Sequence, residues 1–500
     1  MSFALTPIKS DPSFTEEFMP SMIEEKTIPL SRGAGQSADP YTIEHWEPED
    51  EGFWEKTGKK IAARNLAFSI FVEFLGFSVW QVWSAVAAQL PNIGFNFNVN
   101  QLFWLAALPG LSGATLRLPY GLAVSIFGGR NFTLMSAALL LIPSTGLALA
   151  VQNPATPFSV FLTLAFLTGF GGGNFASSMA NIQFFYPQKK KGLALGLNAA
   201  GGNIGVSVVQ FLVPIVITGA VFGGFGGNPE TATVNGVAKT LWLQNAALIW
   251  IPFILLSLFT SWFFMNNLKV AKTSLSSQLP VLKNKHNWTM SWLYLGTFGS
   301  FIGYSAGFPL LIKSQFPGIN PLQYAFLGPL VGSLIRPVGG WLADKIGGAK
   351  VTFWNFLAMS LALLGVIYFL AHKADPGAFA GFFTAFLVLF FCAGIGNGST
   401  FRMIPVIFRT QKLREFKGVK EGSAAYNEAL KESNKESSSI IAFVAAFAAY
   451  GAFFVPKSYG TSIALTGSPL LALYTFLAFY ATCLAITWWF FARKDAEIPC

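Results

Sequence analysis

Charge is what this 500-residue chain lacks: Asp, Glu, Lys and Arg together make up 11 % of it, where soluble domains carry roughly a quarter. Its three cysteines, Cys392, Cys483 and Cys500, have neither metal-ligand spacing nor a disulfide framework, and no redox role follows from them. No nucleophile–base arrangement, metal cluster or phosphate-binding loop stands at a readable position, which argues against an enzyme, a cofactor and ATP drive. A cleavable signal is also missing. Residues 1–60 are polar, with Pro, Ser and acidic side chains, and read as a cytosolic tail whose Trp46 and Trp54 are expected at the membrane interface.

What the chain has in abundance is apolar length. Hydrophobic residues make up 53 %, and Phe alone fills 52 positions. Runs of about twenty apolar residues, enough to cross ~30 Å of hydrocarbon, recur near 62–90, 102–122, 131–151, 157–185, 192–222 and 240–265. Six more follow near 289–312, 322–343, 351–372, 378–403, 438–457 and 468–492. The sequence therefore predicts an all-α integral membrane protein of twelve helices. Its parts are a tail (1–60), a six-helix bundle (61–265), a central loop (266–288), a second bundle (289–492) and a short C-terminal tail (493–500).

The net charge of +10 needs no nucleic acid, because cytoplasmic loops collect Lys and Arg. One set of loops holds Arg130, Lys189 to Lys191, Lys269, Lys345, Lys350 and Arg409; the opposite set is poorer. Both termini are thus expected in the cytoplasm of a multi-pass protein of the cell (inner or plasma) membrane. A charged insertion at 404–437 reads as solvated linker or a short surface helix.

The two halves repeat. Gly113 to Gly121, with Arg117 at its centre, matches Gly332 to Gly340, with Arg336, at an offset of 336 − 117 = 219 residues. Gly128 and Gly129 fall on Gly347 and Gly348 at the same offset. A guanidinium in hydrocarbon costs about 3 kcal/mol even on a lenient scale. Two at equivalent positions suggest a central, symmetric anion site; pairing with carboxylates or snorkelling to the surface is the alternative. The pattern Gly-x-x-x-Asp-x-x-Gly follows in the second half as Gly340, Asp344 and Gly347, whereas the first half has Ser125 in the acidic place. A gating latch is expected on Asp344 and doubtful in the first half.

In the fifth span, Gly192 and Gly196, and Gly201 and Gly205, are each four apart, placing each pair on one face where another helix can approach. Gly202 and Asn203 lie between them, and an amide beside bare backbone can donate to an anion. Six helices, a basic loop, six helices and a repeat describe two bundles related by an axis along the membrane normal, the organisation of major facilitator carriers.

From about Trp46 onward the chain resembles the nitrate/nitrite porter family of that superfamily. The motifs WEPED and GFWEKTGKKIAARNL, LRLPY, IFGGR, NFASSMANI, LNAAGGNIGVSV, SWLYLGTFGSFIGYSAGF and ALTGSP carry the resemblance, in that order. It implies that Arg117 and Arg336 grip the substrate from either bundle, that Asn203 and Tyr294 hydrogen-bond it, and that Phe77, Phe175 and Phe298 wall the pocket. Tyr294 as an interfacial anchor and the phenylalanines as packing filler are the bland readings. The eleventh span departs from the family: its glycines are diluted to Ala442, Ala448, Gly451 and Ala452, which puts that helix's tightness in doubt.

Planar guanidinium donors suit planar, weakly hydrated oxyanions, and aromatic walls penalise sulfate or phosphate. The expected function is alternating-access transport of nitrate and nitrite by exchange, in the service of nitrate assimilation, with lipid around the protein, no nucleic acid and a monomeric carrier. Glu73 is the odd residue, an acid where the family is usually apolar. It is a proton-coupling group, a counter-charge for an arginine, or a neutral acid hydrogen-bonded between helices. Proton-coupled nitrate symport on Glu73 is accordingly the alternative within transport. A non-transporting anion sensor, with the tail and insertion as output elements, is the alternative outside it.

Overall fold

The computed structural model describes residues 39–234, 237–269, 282–415 and 440–500, with Ser423 and Tyr426. Eleven of its helices are long and apolar enough to cross a membrane. They are α1 (Glu51–Val86), α3 (Gly129–Ala150), α4 (Phe158–Ile182), α5 (Gln188–Val216), α6 (Asn245–Phe264), α7 (Lys285–Gln315), α8 (Pro321–Ile346), α9 (Gly348–Ala371), α10 (Ala378–Arg414), α11 (Ile440–Thr466) and α12 (Leu470–Ala492). The twelfth, α2 (Val99–Phe127), has the length but is less apolar, being diluted by Arg117, Pro109 and Pro119. Helices satisfy every backbone group internally, which is why an apolar chain of this kind folds so in lipid.

Helix ends follow local chemistry. Asn98 opens α2 with a reciprocal cap: its side chain accepts from Gln101 N–H at 2.9 Å, and the Gln101 side chain accepts from Asn98 N–H. Gly128 (φ +85°) ends α2 and Gly347 (φ +96°) ends α8, at the 219-residue offset; this left-handed turn favours glycine. The repeat reaches the next turn as well. Arg130 N–H donates to Asn267 Oδ1 at 2.9 Å, and Ala349 N–H donates to Cys500 O at 3.0 Å. Since 349 − 130 = 219, each half caps its third helix with an oxygen from the segment that follows its sixth.

Within the first half α1 lies along α4 and α5, and α2 along α4; in the second, α10 packs on α8 and α9. The halves meet along α2 and α11, α5 and α8, and α1 and α7. On the side away from the termini, Lys313 Nζ crosses the seam to donate to Ala88 O (2.5 Å) and Asn92 Oδ1 (2.8 Å), and Lys457 Nζ donates to Asn100 Oδ1 (3.1 Å). On the side of the termini, α5 stands clear at Gly192 and Gly196.

Several boundaries differ from the sequence reading. Helix α1 begins at Glu51, inside the expected tail, because Asp50 caps it by accepting from Phe53 N–H at 2.6 Å. Trp46 and Trp54 are buried in protein, not spread at a membrane interface: the Trp46 indole donates to Phe184 O at 3.0 Å, Trp46 packs on Phe185 and Trp54 on Tyr186. Upstream, β1 (Thr42–Ile43) pairs in parallel with a strand after α6 (Asn267–Leu268). The Arg130 guanidinium sits 3.9 Å from the Tyr41 ring and donates to Trp262 O. A hairpin of Glu230–Val234 with Val237–Leu241, absent from the expectation, joins α5 to α6. Helix α10 continues through Arg414, so the insertion expected from 404 starts as helix; most of its remainder, like residues 1–38 and 270–281, lies outside the described residues.

Candidate functional site

Helix α2 carries Arg117 inward between its two prolines, and the guanidinium is 2 % exposed. Its Nε donates to Gly172 O of α4 at 3.1 Å, and its Nη1 donates to Ala445 O of α11 at 2.8 Å, across the seam. The third nitrogen, Nη2, is buried without a partner. The cation lies over three rings: Phe175 at 4.5 Å, Phe298 at 5.3 Å and Trp80 at 5.6 Å from their centroids.

Helix α8 brings Arg336 to the other end of the same aromatic stack. Its Nη2 donates to Tyr294 Oη at 3.4 Å, its Nη1 is unpartnered, and its guanidinium stands 5.4 Å from the Phe401 centroid. Tyr294 stacks on Phe298 (5.5 Å, 17° between planes), and Phe298 on Phe175 (6.5 Å, 26°). Helix α7 widens over Leu295–Gly299 into a turn with i→i+5 hydrogen bonds, a local feature frequent at functional sites, just where these rings project. Phe77 closes the row against Phe175 at 6.3 Å and does not itself face a guanidinium within cation–π distance.

Asn203 is buried on α5 with both side-chain amide atoms unpartnered, while its backbone carbonyl accepts from Ser333 Oγ of α8 at 3.2 Å. The orphan atoms of Arg117, Arg336 and Asn203 thus belong to helices from both halves. Among the described residues neither arginine forms an ion pair with a carboxylate, so pairing does not explain their burial. Unpaired buried donors of this strength are costly unless a ligand takes them. The arrangement can hold a planar anion edge-on to two forks, with ring faces excluding water.

Glu73 is not gripped by either arginine. Its Oε2 accepts from Asn198 Nδ2 at 2.7 Å, its Oε1 is unpartnered, and it forms no ion pair among the described residues. Arg117 and Arg336 lie within electrostatic reach of it. The fifth-span glycines divide into two groups. A Cβ on Gly205 would stand 2.5 Å from Phe74 O, one on Gly202 2.5 Å from Glu73 Oε1, and one on Gly201 2.4 Å from an Ile70 methyl. Gly192 and Gly196 correct the expectation of close helix packing: nothing lies within 4 Å of a Cβ on either.

The diluted eleventh span is tight after all. Gly451 meets the backbone of Gly299, and a Cβ on Gly110 of α2 would stand 2.3 Å from Ala452 C. Gly340 makes only ordinary contact with Gly398 O at 3.9 Å. Asp344 pairs with Arg402, both about half-exposed. Sequence reasoning missed Trp80, which wedges between Gly113 and Gly172 and donates from Nε1 to Pro109 O at 2.7 Å. Its signal was the glycine of the arginine repeat, which needs a flat partner. It also missed Asn198, whose position one turn before Gly202 is only meaningful once Glu73 is opposite.

Fold and site define a two-bundle membrane carrier with a buried cationic centre. Residues 66–418 match the Major Facilitator Superfamily profile. Over 461 residues the chain is 48 % identical to the nitrate/nitrite transporter NarU of Salmonella typhimurium, covering 91 % of this chain and 97 % of that one. It is 40 % identical over 471 residues to a protein of Thermus thermophilus described as "Probable nitrate/nitrite antiporter NarK2", covering 93 % and 100 %. A solved bacterial homolog of the human lysosomal transporter Spinster shares the fold, with a TM-score of 0.59 at 15 % identity over 85 % of this chain and 95 % of that one. The chain belongs to the nitrate/nitrite porter family of the major facilitator superfamily.

Proposed function

We propose that this protein carries nitrate and nitrite across a cell membrane by alternating access, exchanging one anion for another, and is not an enzyme. The single observation that carries the reading is the pair of buried guanidiniums, each with an unpartnered nitrogen and neither with an ion-paired carboxylate among the described residues. Asn203 and Tyr294 supply the remaining polar contacts, and Phe77, Phe175 and Phe298 the walls. Both termini lie in the cytoplasm by the distribution of basic loops, so the lysine-bridged side is the outer one. The carrier works as a monomer.

Exchange follows from charge. Two unit charges about 6 Å apart at an effective dielectric of about 20 repel by roughly 3 kcal/mol. A bound anion removes that repulsion when the bundles close, so the empty carrier switches slowly. A second reading, proton-coupled uptake on Glu73, draws on that acid's burial without an ion pair.

Competition in proteoliposomes tests the substrate. Nitrite and unlabelled nitrate each suppress counterflow of labelled nitrate, whereas sulfate and phosphate at the same concentration leave it unchanged. Strong inhibition by sulfate moves the assignment to a general anion carrier.

A further inference from the structure

Beside the guanidinium centre, inside the first bundle, lies a second polar site that the transport reading does not use. A cavity with about 10 Å³ open to a water-sized body sits between α1, α3 and α4, and every residue lining it is buried. That is room for one water or an ion of similar size. Glu73 and Asn174 both line it; Glu73 Oε1 and both amide atoms of Asn174 are unpartnered, and the two side chains are 1 % and 2 % exposed.

Three of the five hydroxyls around it have spent their protons elsewhere. Thr133 Oγ1 donates to Gly129 O (2.7 Å), Ser136 Oγ to Thr133 O (3.1 Å) and Ser177 Oγ to Asn174 O (3.1 Å). What these three oxygens have left is acceptor capacity. Together with Glu73 Oε1 and Asn174 Oδ1 they still outnumber the free donors, Asn174 Nδ2 and the one hydroxyl proton that the Ser69–Ser178 pair (2.8 Å) leaves over beside Glu73. Asn198 Nδ2 already serves Glu73 Oε2 and Ser178 Oγ. A carboxylate among acceptors, with no ion pair, calls for positive charge.

We propose that this cavity binds a small monovalent cation, a proton or a sodium ion, on Glu73. As a proton it sits on Oε1, making a carboxylic acid whose O–H points at the surrounding acceptors. As sodium it takes Oε1, Asn174 Oδ1 and the hydroxyl oxygens, a hard-oxygen set. The charged groups within electrostatic reach of Glu73 are Arg117 on α2 and Arg336 on α8; α3, α4 and α5 present only hydroxyls and amides there. Because the cavity lies within one bundle and not at the seam, the cation stays through the transport cycle. Glu73 is thereby kept from acting as the arginines' counter-ion, which deepens the exchange reading and rests on it.

The test uses the full-length protein without nitrate, so its outcome is independent of transport. Thermal unfolding is followed in sodium, potassium and choline chloride at one ionic strength, across pH 5.5 to about 8.5, for wild type, Glu73→Gln and Ser136→Ala; binding of ²²Na⁺ is measured alongside. If sodium is the occupant, it raises the wild-type Tm by several degrees over choline and binds one per chain, and both effects vanish in Glu73→Gln. If a proton is, sodium has no special effect, and wild type loses Tm on raising pH while Glu73→Gln does not. Ser136→Ala, which removes one acceptor and leaves Glu73, weakens whichever dependence is seen, and decides the matter should Glu73→Gln not fold. A wild type indifferent to sodium, with the same pH dependence as Glu73→Gln and Ser136→Ala, overturns the proposal and leaves the exchange reading standing.

Discussion

At the scale of single residues, geometry separates what a guanidinium does from what a charge does. Arg117 uses two nitrogens to tie α2 to α4 and α11 and keeps a third free. A lysine keeps the charge but cannot make that fork. Arg117→Lys and Arg336→Lys are each expected to cut nitrate counterflow by at least about tenfold, a loss of roughly 1.4 kcal/mol of transition-state stabilisation. Counterflow near the wild-type rate in either variant contradicts the paired site. The Asn203 side-chain amide has no protein partner to lose, so Asn203→Ala is expected to raise the half-saturating nitrate concentration several-fold with an unchanged Tm. A large fall in Tm with unchanged affinity makes the amide structural instead.

At the scale of elements, the glycines of α5 rank themselves by what they meet. Gly205 faces a carbonyl oxygen, which cannot turn aside, and Gly201 a methyl group, which can. Gly205→Ala is therefore expected to lower Tm more than Gly201→Ala, and the reverse order sinks the packing account. Gly192→Leu and Gly196→Leu meet open space here and should leave Tm unchanged. If α5 closes against the other half in the alternate state, they slow counterflow all the same. The C-terminal strap adds a pH-dependent element. The Lys285 ammonium, with His286 beside it, holds the Glu497 carboxyl below its ordinary value of 4.5. A carboxyl held low contributes stability above its ordinary pKa and loses it as pH falls through the lowered one. Hydrogen-exchange protection at Ile498 and Ala349 should therefore drop in Glu497→Gln at neutral pH and match wild type in acid. Equal protection at neutral pH shows that the ion pair does not hold the strap.

These elements also mark what the sequence could disclose. All twelve helices were legible because lipid demands uninterrupted apolar length, and the 219-residue repeat put Arg117 and Arg336 in register without any structure. The Trp46 plug and the pairing of Thr42–Ile43 with Asn267–Leu268 were not, since each depends on a partner 138 to 225 residues away; the start of α1 rests on the local Asp50 cap, which the polar composition of the tail hid. The same holds for Glu73 with Asn198, 125 residues apart: the acid was visible as an oddity, and its hydroxyl-lined surroundings were not. Gly192 and Gly196 misled because spacing alone says which face two glycines share, not whether a helix is there to meet them.

At the scale of the whole molecule, the halves are joined through Lys313, Lys457 and the Arg117–Ala445 link on and above the site, while α5 stands clear at Gly192 and Gly196 near its start. Such a carrier must close over a centre holding two positive charges, and the central claim is that only an anion lets it do so readily. The most direct measurement is uptake of labelled nitrate into proteoliposomes with and without internal nitrite, each under an imposed pH gradient and without one. The account predicts rapid uptake only with nitrite or nitrate inside, little changed by the gradient. Rapid uptake into anion-free liposomes, driven by an inward proton gradient and lost in Glu73→Gln, contradicts it.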